Sequence, residues 1–170
     1  LTVRRSIVGP FGGPGNGTFI VLTDADKPCQ ALKENGWPRS TSLVTIILRE
    51  KSNGAVTSGT KAGTYPVSPA TDVPEGLSAH VTVEQFDASC ASTLPDLNKR
   101  TGTAGTVTVD AQIEENGPAS GSYSVDFPGG GKISGRFAAE YCDGTADLAA
   151  PTCASTTATT GLPLTLDVTI

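Results

Sequence analysis

The stretch Thr106-Val107-Thr108-Val109-Asp110-Ala111-Gln112-Ile113 puts Val107, Val109, Ala111 and Ile113 on one side of an extended chain and Thr106, Thr108, Asp110 and Gln112 on the other. Side chains alternate across a strand with period two, so the segment predicts a strand with one buried and one solvated face. Glu115-Asn116-Gly117-Pro118 ends it, Tyr123, Val125 and Phe127 then alternate with Ser122, Ser124 and Asp126, and Pro128-Gly129-Gly130-Gly131 turns the chain again. Ile133 and Phe137 resume the alternation. Together these pieces describe an antiparallel meander with a single apolar face.

Upstream, Phe19-Ile20-Val21-Leu22 and Leu43-Val44-Thr45-Ile46-Ile47-Leu48 are apolar runs of strand length, which predict strands covered on both sides. Residues 80–86 alternate around Val81 and Val83, and Leu164, Leu166, Val168 and Ile170 share one face near the end of the sequence. Only residues 26–35 suggest a helix, with Asp24 or Asp26 as N-cap, Pro28 in the first turn and Gly36 as the stop. Residues 1–8 read as an edge strand, and the Gly- and Pro-rich residues 9–16 as a tether. Residues 68–76, 92–102 and 149–161 read as surface loops. The fold expected is a single all-β domain over residues 1–170, an antiparallel β-sandwich or partly closed barrel with at most one short helix.

At 170 residues the chain fits one domain, and 20 Gly with 12 Pro exclude a helical bundle. Twelve Lys+Arg against 17 Asp+Glu leave a net charge of −5, so the basic footprint of a general nucleic-acid binder is missing. No run approaches the roughly 18–20 apolar residues of a membrane span. A membrane association is therefore expected only through a lipid anchor outside this chain. The sequence holds no Met, as removal of an export segment would leave it, and as trimming would too.

Cys29, Cys90, Cys142 and Cys153 form no C-x-x-C pair, and His80 is the only histidine, so no tetrahedral zinc pattern is present. Disulfides, and with them an oxidising compartment, are the better reading; four buried free thiols are the alternative. Cys142 and Cys153 bracket the small polar segment Asp143-Gly144-Thr145-Ala146-Asp147, which favours a Cys142–Cys153 staple and leaves Cys29 to pair with Cys90. Loops of about 12 and 60 residues would contribute roughly 3 and 4 kcal/mol on the chain-entropy estimate.

The order of several motifs carries a resemblance over most of the chain. They are Gly17-Thr18-Phe19 through Leu22-Thr23-Asp24 leading to Cys29, Gly63-Thr64-Tyr65, Cys90 after an acidic loop, Gly105-Thr106-Val107-Thr108, Gly121-Ser122-Tyr123-Ser124-Val125-Asp126-Phe127, and Ser134-Gly135-Arg136-Phe137-Ala138-Ala139-Glu140-Tyr141-Cys142. In this order the chain resembles small exported or lipid-anchored β-rich proteins of myxobacteria and their relatives, most without assigned function. The resemblance implies a secreted β-rich domain and brings no catalytic residues with it.

The residues themselves offer little chemistry. A Ser-His-Asp triad would need His80, which begins an apparent strand with no G-x-S-x-G elbow in the sequence. Glu114 and Glu115 sit at a turn and read as solvated rather than as a hydrolytic pair. Asp24-Ala25-Asp26 and Asp143 to Asp147 have loop spacing for calcium but match no EF-hand, and capping or turn chemistry explains them as well. Gly129-Gly130-Gly131 lacks the Lys and following helix of a phosphate loop. Trp37, with Arg39 beside it, is a candidate binding anchor, against the alternative that the indole closes the core.

The expectation is therefore a non-enzymatic, exported protein of the cell envelope or extracellular space, without metal or cofactor, that binds a protein partner or its own copies. A carbohydrate-binding module is the alternative, weakened by an aromatic content of 5%; a secreted hydrolase or protease inhibitor ranks lower. Through Lys61 the chain holds 8 basic and 4 acidic residues, and beyond it 4 and 13. Such asymmetry suits head-to-tail self-association, and residues 1–8 suit strand exchange.

Overall fold

A computed structural model describes residues 5–11, 17–34, 36–69, 73–94, 100–143 and 152–153. Nine strands and one helix follow in the order β1 (Arg5–Phe11), β2 (Gly17–Thr23), α1 (Pro28–Lys33), β3 (Ser42–Ser52), β4 (Ala55–Ser58), β5 (Gly63–Pro66), β6 (Gly76–Gln85), β7 (Ala104–Val109), β8 (Ala119–Asp126) and β9 (Lys132–Tyr141). The expected all-β class is what forms, as one strongly curled mixed sheet shaped into a half-barrel. β6 pairs along β3 from Ser42 to Lys51, while the opposite edge of β3 is shared by β2 over Leu43–Leu48 and β4 over Arg49–Ser52. From β2 the order runs β1, β9, β8, β7, β5. Isolated bridges from Val67 to Ala79 and from Thr101 to Thr82 carry the far end of the sheet back to β6.

The barrel interior is one apolar cluster to which every long strand contributes, among them Val8, Ile20, Leu22, Val44, Ile46, Leu48, Tyr65, Val81, Val107, Tyr123, Val125 and Phe137. A second cluster lies on the outer side of β1, β2 and β3, where Ile7, Phe19, Val21 and Leu43 meet Ala31 and Leu32 of α1, Trp37 and Phe86. The two clusters account for the continuous apolar run in β2, since Phe19, Ile20, Val21 and Leu22 are all 0% exposed, alternately facing inward and outward.

Several expectations need correction. The first strand is interior rather than at an edge: β1 pairs antiparallel with β2 along its whole length and parallel with β9 at Ile7–Glu140 and Val8–Tyr141. Gly9, Pro10 and Phe11 belong to it rather than to a tether. Glycine is needed there because a Cβ at position 9 would stand 2.4 Å from the Cys142 carbonyl oxygen and 2.7 Å from Cζ of Phe19. The parallel pair also makes the sheet mixed. The helix is shorter than expected, Pro28–Lys33, and Lys27 precedes it with no side-chain cap. Asp24 instead accepts a hydrogen bond from the Ser42 N–H at 2.9 Å, tying the exit of β2 to the start of β3. β7 stops at Val109, so Ala111 is exposed, while Ile113 re-enters the core with its N–H donated to the Thr60 carbonyl at 2.7 Å. The strand read at residues 164–170 lies outside the described residues.

The cysteines pair differently from expectation. Cys29 bonds Cys142, with 5.6 Å between Cα atoms, and Cys90 bonds Cys153, with 5.4 Å. The reason is the outer layer. The parallel β1–β9 pairing brings Cys142 beneath α1, where Cys29 sits, and a bridge between Trp37 and Cys153 draws the latter toward the loop after β6 that carries Cys90. Closeness in sequence suggested a small staple, whereas the sequence separations are 113 and 63 residues. Non-reducing peptide mapping is expected to recover Cys29–Cys142 and Cys90–Cys153 peptides. Replacing the first pair by Ser should cost about 2–5 kcal/mol of stability in denaturant titration.

Candidate functional site

The outer face of β5, β7, β8 and β9 carries short hydroxyl side chains in register. Thr64, Thr108, Ser122 and Arg136 stand side by side in one row, and Pro66, Thr106, Ser124 and Ser134 in the next. The alternation that buries Tyr65, Val107, Val109, Tyr123 and Val125 turns these residues outward. Neighbours within a row stand about 4.8 Å apart and successive rows about 6.8 Å apart, so the hydroxyls form a grid of mixed donors and acceptors. Ion pairs bound it, with Arg136 Nη2 and Ser120 Oγ each 3.2 Å from Asp110 Oδ2 at one end and Lys132 Nζ 3.4 Å from Asp126 Oδ1 at the other. Beyond Ser120 the face runs into a shallow, open depression of about 500 Å³ lined by Gln112, Glu114, Pro118, Ala138 and Glu140. Small side chains lose little rotamer freedom when a partner covers them.

The anchor read at Trp37 is corrected: its indole is 2% exposed and lies in the outer cluster beneath the Cys90–Cys153 strap. Arg39 is exposed and separated from that cluster by the chain's turn into β3. Phe19, Tyr65, Phe86, Tyr123 and Phe137 are buried, and Phe127 and Tyr141 half-buried. The Tyr65 hydroxyl donates to the Lys61 carbonyl at 2.8 Å, and burial, with Glu50 nearby, pushes its pKa up to about 12, so it remains a neutral phenol.

The acidic loops have structural employment. Asp143 forms an ion pair with Lys33, whose ammonium holds the carboxyl below its ordinary range; residues 144–147 lie outside the described residues. The one grouping of potential metal ligands among the described residues, Cys29, Cys142 and Asp143, has its two sulfurs bonded to each other. Glu114 and Glu115 are exposed, as read. A residue the sequence reading missed is Asp87. Its Oδ1 accepts from the Ser89 N–H and hydroxyl, both at 2.7 Å, and from the Ala91 N–H at 2.9 Å, which shapes the loop presenting Cys90 and lowers the carboxyl's pKa. The Asp-x-Ser spacing is an Asx-turn signal that was available.

His80 faces outward on β6, half-buried, with Nδ1 3.4 Å from the Ser68 carbonyl oxygen. No family model matches the chain, and neither a curated protein nor a solved structure does. Burial lowers the His80 pKa from 6.5; the Ser68 carbonyl opposes this and the Arg49 charge adds to it. A histidine whose folded pKa lies below its unfolded value binds fewer protons folded than unfolded in the interval between them. Stability is then full above pH 6.5 and declines as pH falls toward the folded value. With one histidine in the chain, the imidazole proton resonances should titrate below 6.5, and His80→Gln should flatten the decline in denaturation midpoint between neutral pH and that titration.

Proposed function

We propose that this protein is a non-enzymatic domain of the cell envelope or extracellular space that binds a protein partner through the hydroxyl face of β5, β7, β8 and β9. The observation carrying the reading is the register of Thr64, Thr106, Thr108, Ser122, Ser124 and Ser134, a continuous polar surface over a filled interior. Two long-range disulfides accord with an oxidising, non-cytoplasmic environment, and no helix among the described residues is long and apolar enough to cross a membrane. These features, with the resemblance to small exported proteins, support the proposal of export. A carbohydrate-binding role is less well supported, because sugar recognition leans on exposed aromatic platforms, whereas Phe19, Trp37, Tyr65, Phe86, Tyr123 and Phe137 are buried and Phe127 and Tyr141 half-buried. Binding of the purified chain to isolated cell envelopes is expected to fall about tenfold or more in the Thr108→Lys/Ser124→Lys variant, with stability changed by no more than about 0.5 kcal/mol. Undiminished binding by that variant, or binding abolished by glycosidase treatment of the envelopes and matched on a glycan array, would overturn the reading.

Self-association is a second reading favoured by the topology. Strands β1 to β4, all before Lys61, lie together on one side of the sheet, and β9, β8, β7 and β5 on the other, with β6 crossing to flank β3. Although β6 with Glu84 flanks β3 and Asp143 pairs with Lys33, the excess of basic residues through Lys61 and of acidic residues beyond it suits a head-to-tail contact between copies. Light scattering should then report particles larger than a monomer that dissociate as salt rises above about 0.15 M, where screening shortens to roughly 8 Å. A monomer at every salt concentration removes this reading and leaves the first.

A further inference from the structure

The two disulfides differ in exposure and in what they hold. Cys142, bonded to Cys29 of α1, is 1% exposed, and its N–H donates to the Val8 carbonyl at 2.8 Å within the junction of β9 with β1. Cys90 and Cys153 are both half-exposed, one in the loop after β6 and the other in the strap at 152–153. Exchange requires a thiolate to reach a sulfur, so the second pair is the one open to a reductant. What it holds is the lid over the indole. The Trp37 N–H donates to the Thr152 carbonyl at 2.8 Å, Trp37 and Cys153 form a parallel bridge, and Cys153 packs against the cluster in which Trp37 is 2% exposed. The loop carrying Cys90 has its own framework. Asp87 Oδ1 accepts from the Ser89 and Ala91 N–H groups, the Cys90 N–H donates to the Asp87 carbonyl at 3.1 Å, and the Phe86 N–H to the Thr41 carbonyl at 2.9 Å.

We infer that Cys90–Cys153 is a redox latch, whose reduction frees residues 152–153 from Trp37 and opens the indole to water while Cys29–Cys142 and the sheet stay intact. The reductant is a dithiol. Its first thiolate attacks one sulfur of the pair, forming a mixed disulfide and releasing the other sulfur as a thiolate. Its second thiolate then displaces the protein sulfur, so the dithiol leaves as a disulfide and the protein has gained two electrons and two protons. The opening is local, because the contact the latch secures is an isolated bridge rather than a ladder, and such contacts lie at the low end of a structure's stability. The state is also reversible. Cys153 follows Cys142 by eleven positions and Cys142 stays fixed by Cys29, so the freed thiol remains near Cys90 at an effective concentration of order millimolar. An oxidant that accepts two electrons, such as a small disulfide, then closes the latch again.

The test treats the folded full chain with limiting dithiothreitol, without denaturant, and follows the order of opening by alkylation and peptide mapping. Label is expected on Cys90 and Cys153 while Cys29 and Cys142 remain joined. In that partly reduced state the Trp37 amide should exchange about 100-fold faster or more by NMR, while the Phe86 amide and those of β2 keep their protection and report that the domain is folded. Emission from this single Trp should move to longer wavelength, and oxidised glutathione should reverse both changes. The full-length Cys90→Ser/Cys153→Ser variant should show the exposed Trp37 with no reductant present. Opening of Cys29–Cys142 first would overturn the inference. So would a Trp37 amide that stays protected in both the partly reduced chain and the variant, or protection of Phe86 and β2 that is lost in step with Trp37 and so marks unfolding of the domain rather than release of a latch.

Discussion

The whole structure turns on β2 being apolar on both faces. Four consecutive side chains, Phe19 to Leu22, are withdrawn completely from water, which at roughly 1.5–3 kcal/mol each amounts to roughly 6–12 kcal/mol, as large as the net stability of a domain. A curled sheet alone can bury only one of those faces. The other requires a cover, and the chain provides a thin one: a helix of six residues and the loop segments that carry Ala25, Trp37, Phe86 and Cys153. A helix that short does not persist by its own propensity. Both disulfides accordingly anchor the cover, Cys29–Cys142 fixing the helix to the end of β9 and Cys90–Cys153 fixing the strap over Trp37.

Strand identity was legible wherever alternation or a solid apolar run spoke for itself, as in β2, β3, β8 and β9. Pairing was not. The parallel contact between β1 and β9 depends on the wrap of the entire sheet, and nothing in residues 5–11 names a partner more than a hundred positions away. Pro10 and Gly9 misled for a related reason. They are turn formers by propensity, but Pro10 is exposed beyond the β9 pairing, where its missing N–H costs no ladder bond, and Gly9 is the residue a crowded junction demands. The cysteine pairing failed with the topology, because proximity in sequence was weighed without an outer layer to bring distant segments together.

The hydroxyl face was half visible. Thr106, Thr108, Ser122 and Ser124 already stood out as the polar side of their strands, and β8 and β9 form an evident hairpin. What no local pattern could reveal is that β5, nearly 40 residues before β7, lies alongside it and carries Thr64 and Pro66 into the same rows. Trp37 shows the opposite limit. Flanked by Gly36, Pro38 and Arg39, this lone aromatic reads either as a binding anchor or as a closure of the core, and only the second cluster decides for burial.

The junction of β1 with β9 also bears on how the molecule comes into being. The hydroxyl of Ser6 meets a carbonyl 132 positions further along, so the first strand cannot be locked on both sides until nearly the whole described chain is synthesised. Folding dominated by contacts of such long range is slow, since loop-closure entropy must be met before the contacts return it. A nascent chain of this design keeps β1 open on its β9 side until residues 138–142 have been made, and Cys29 waits for its partner Cys142 until the same point.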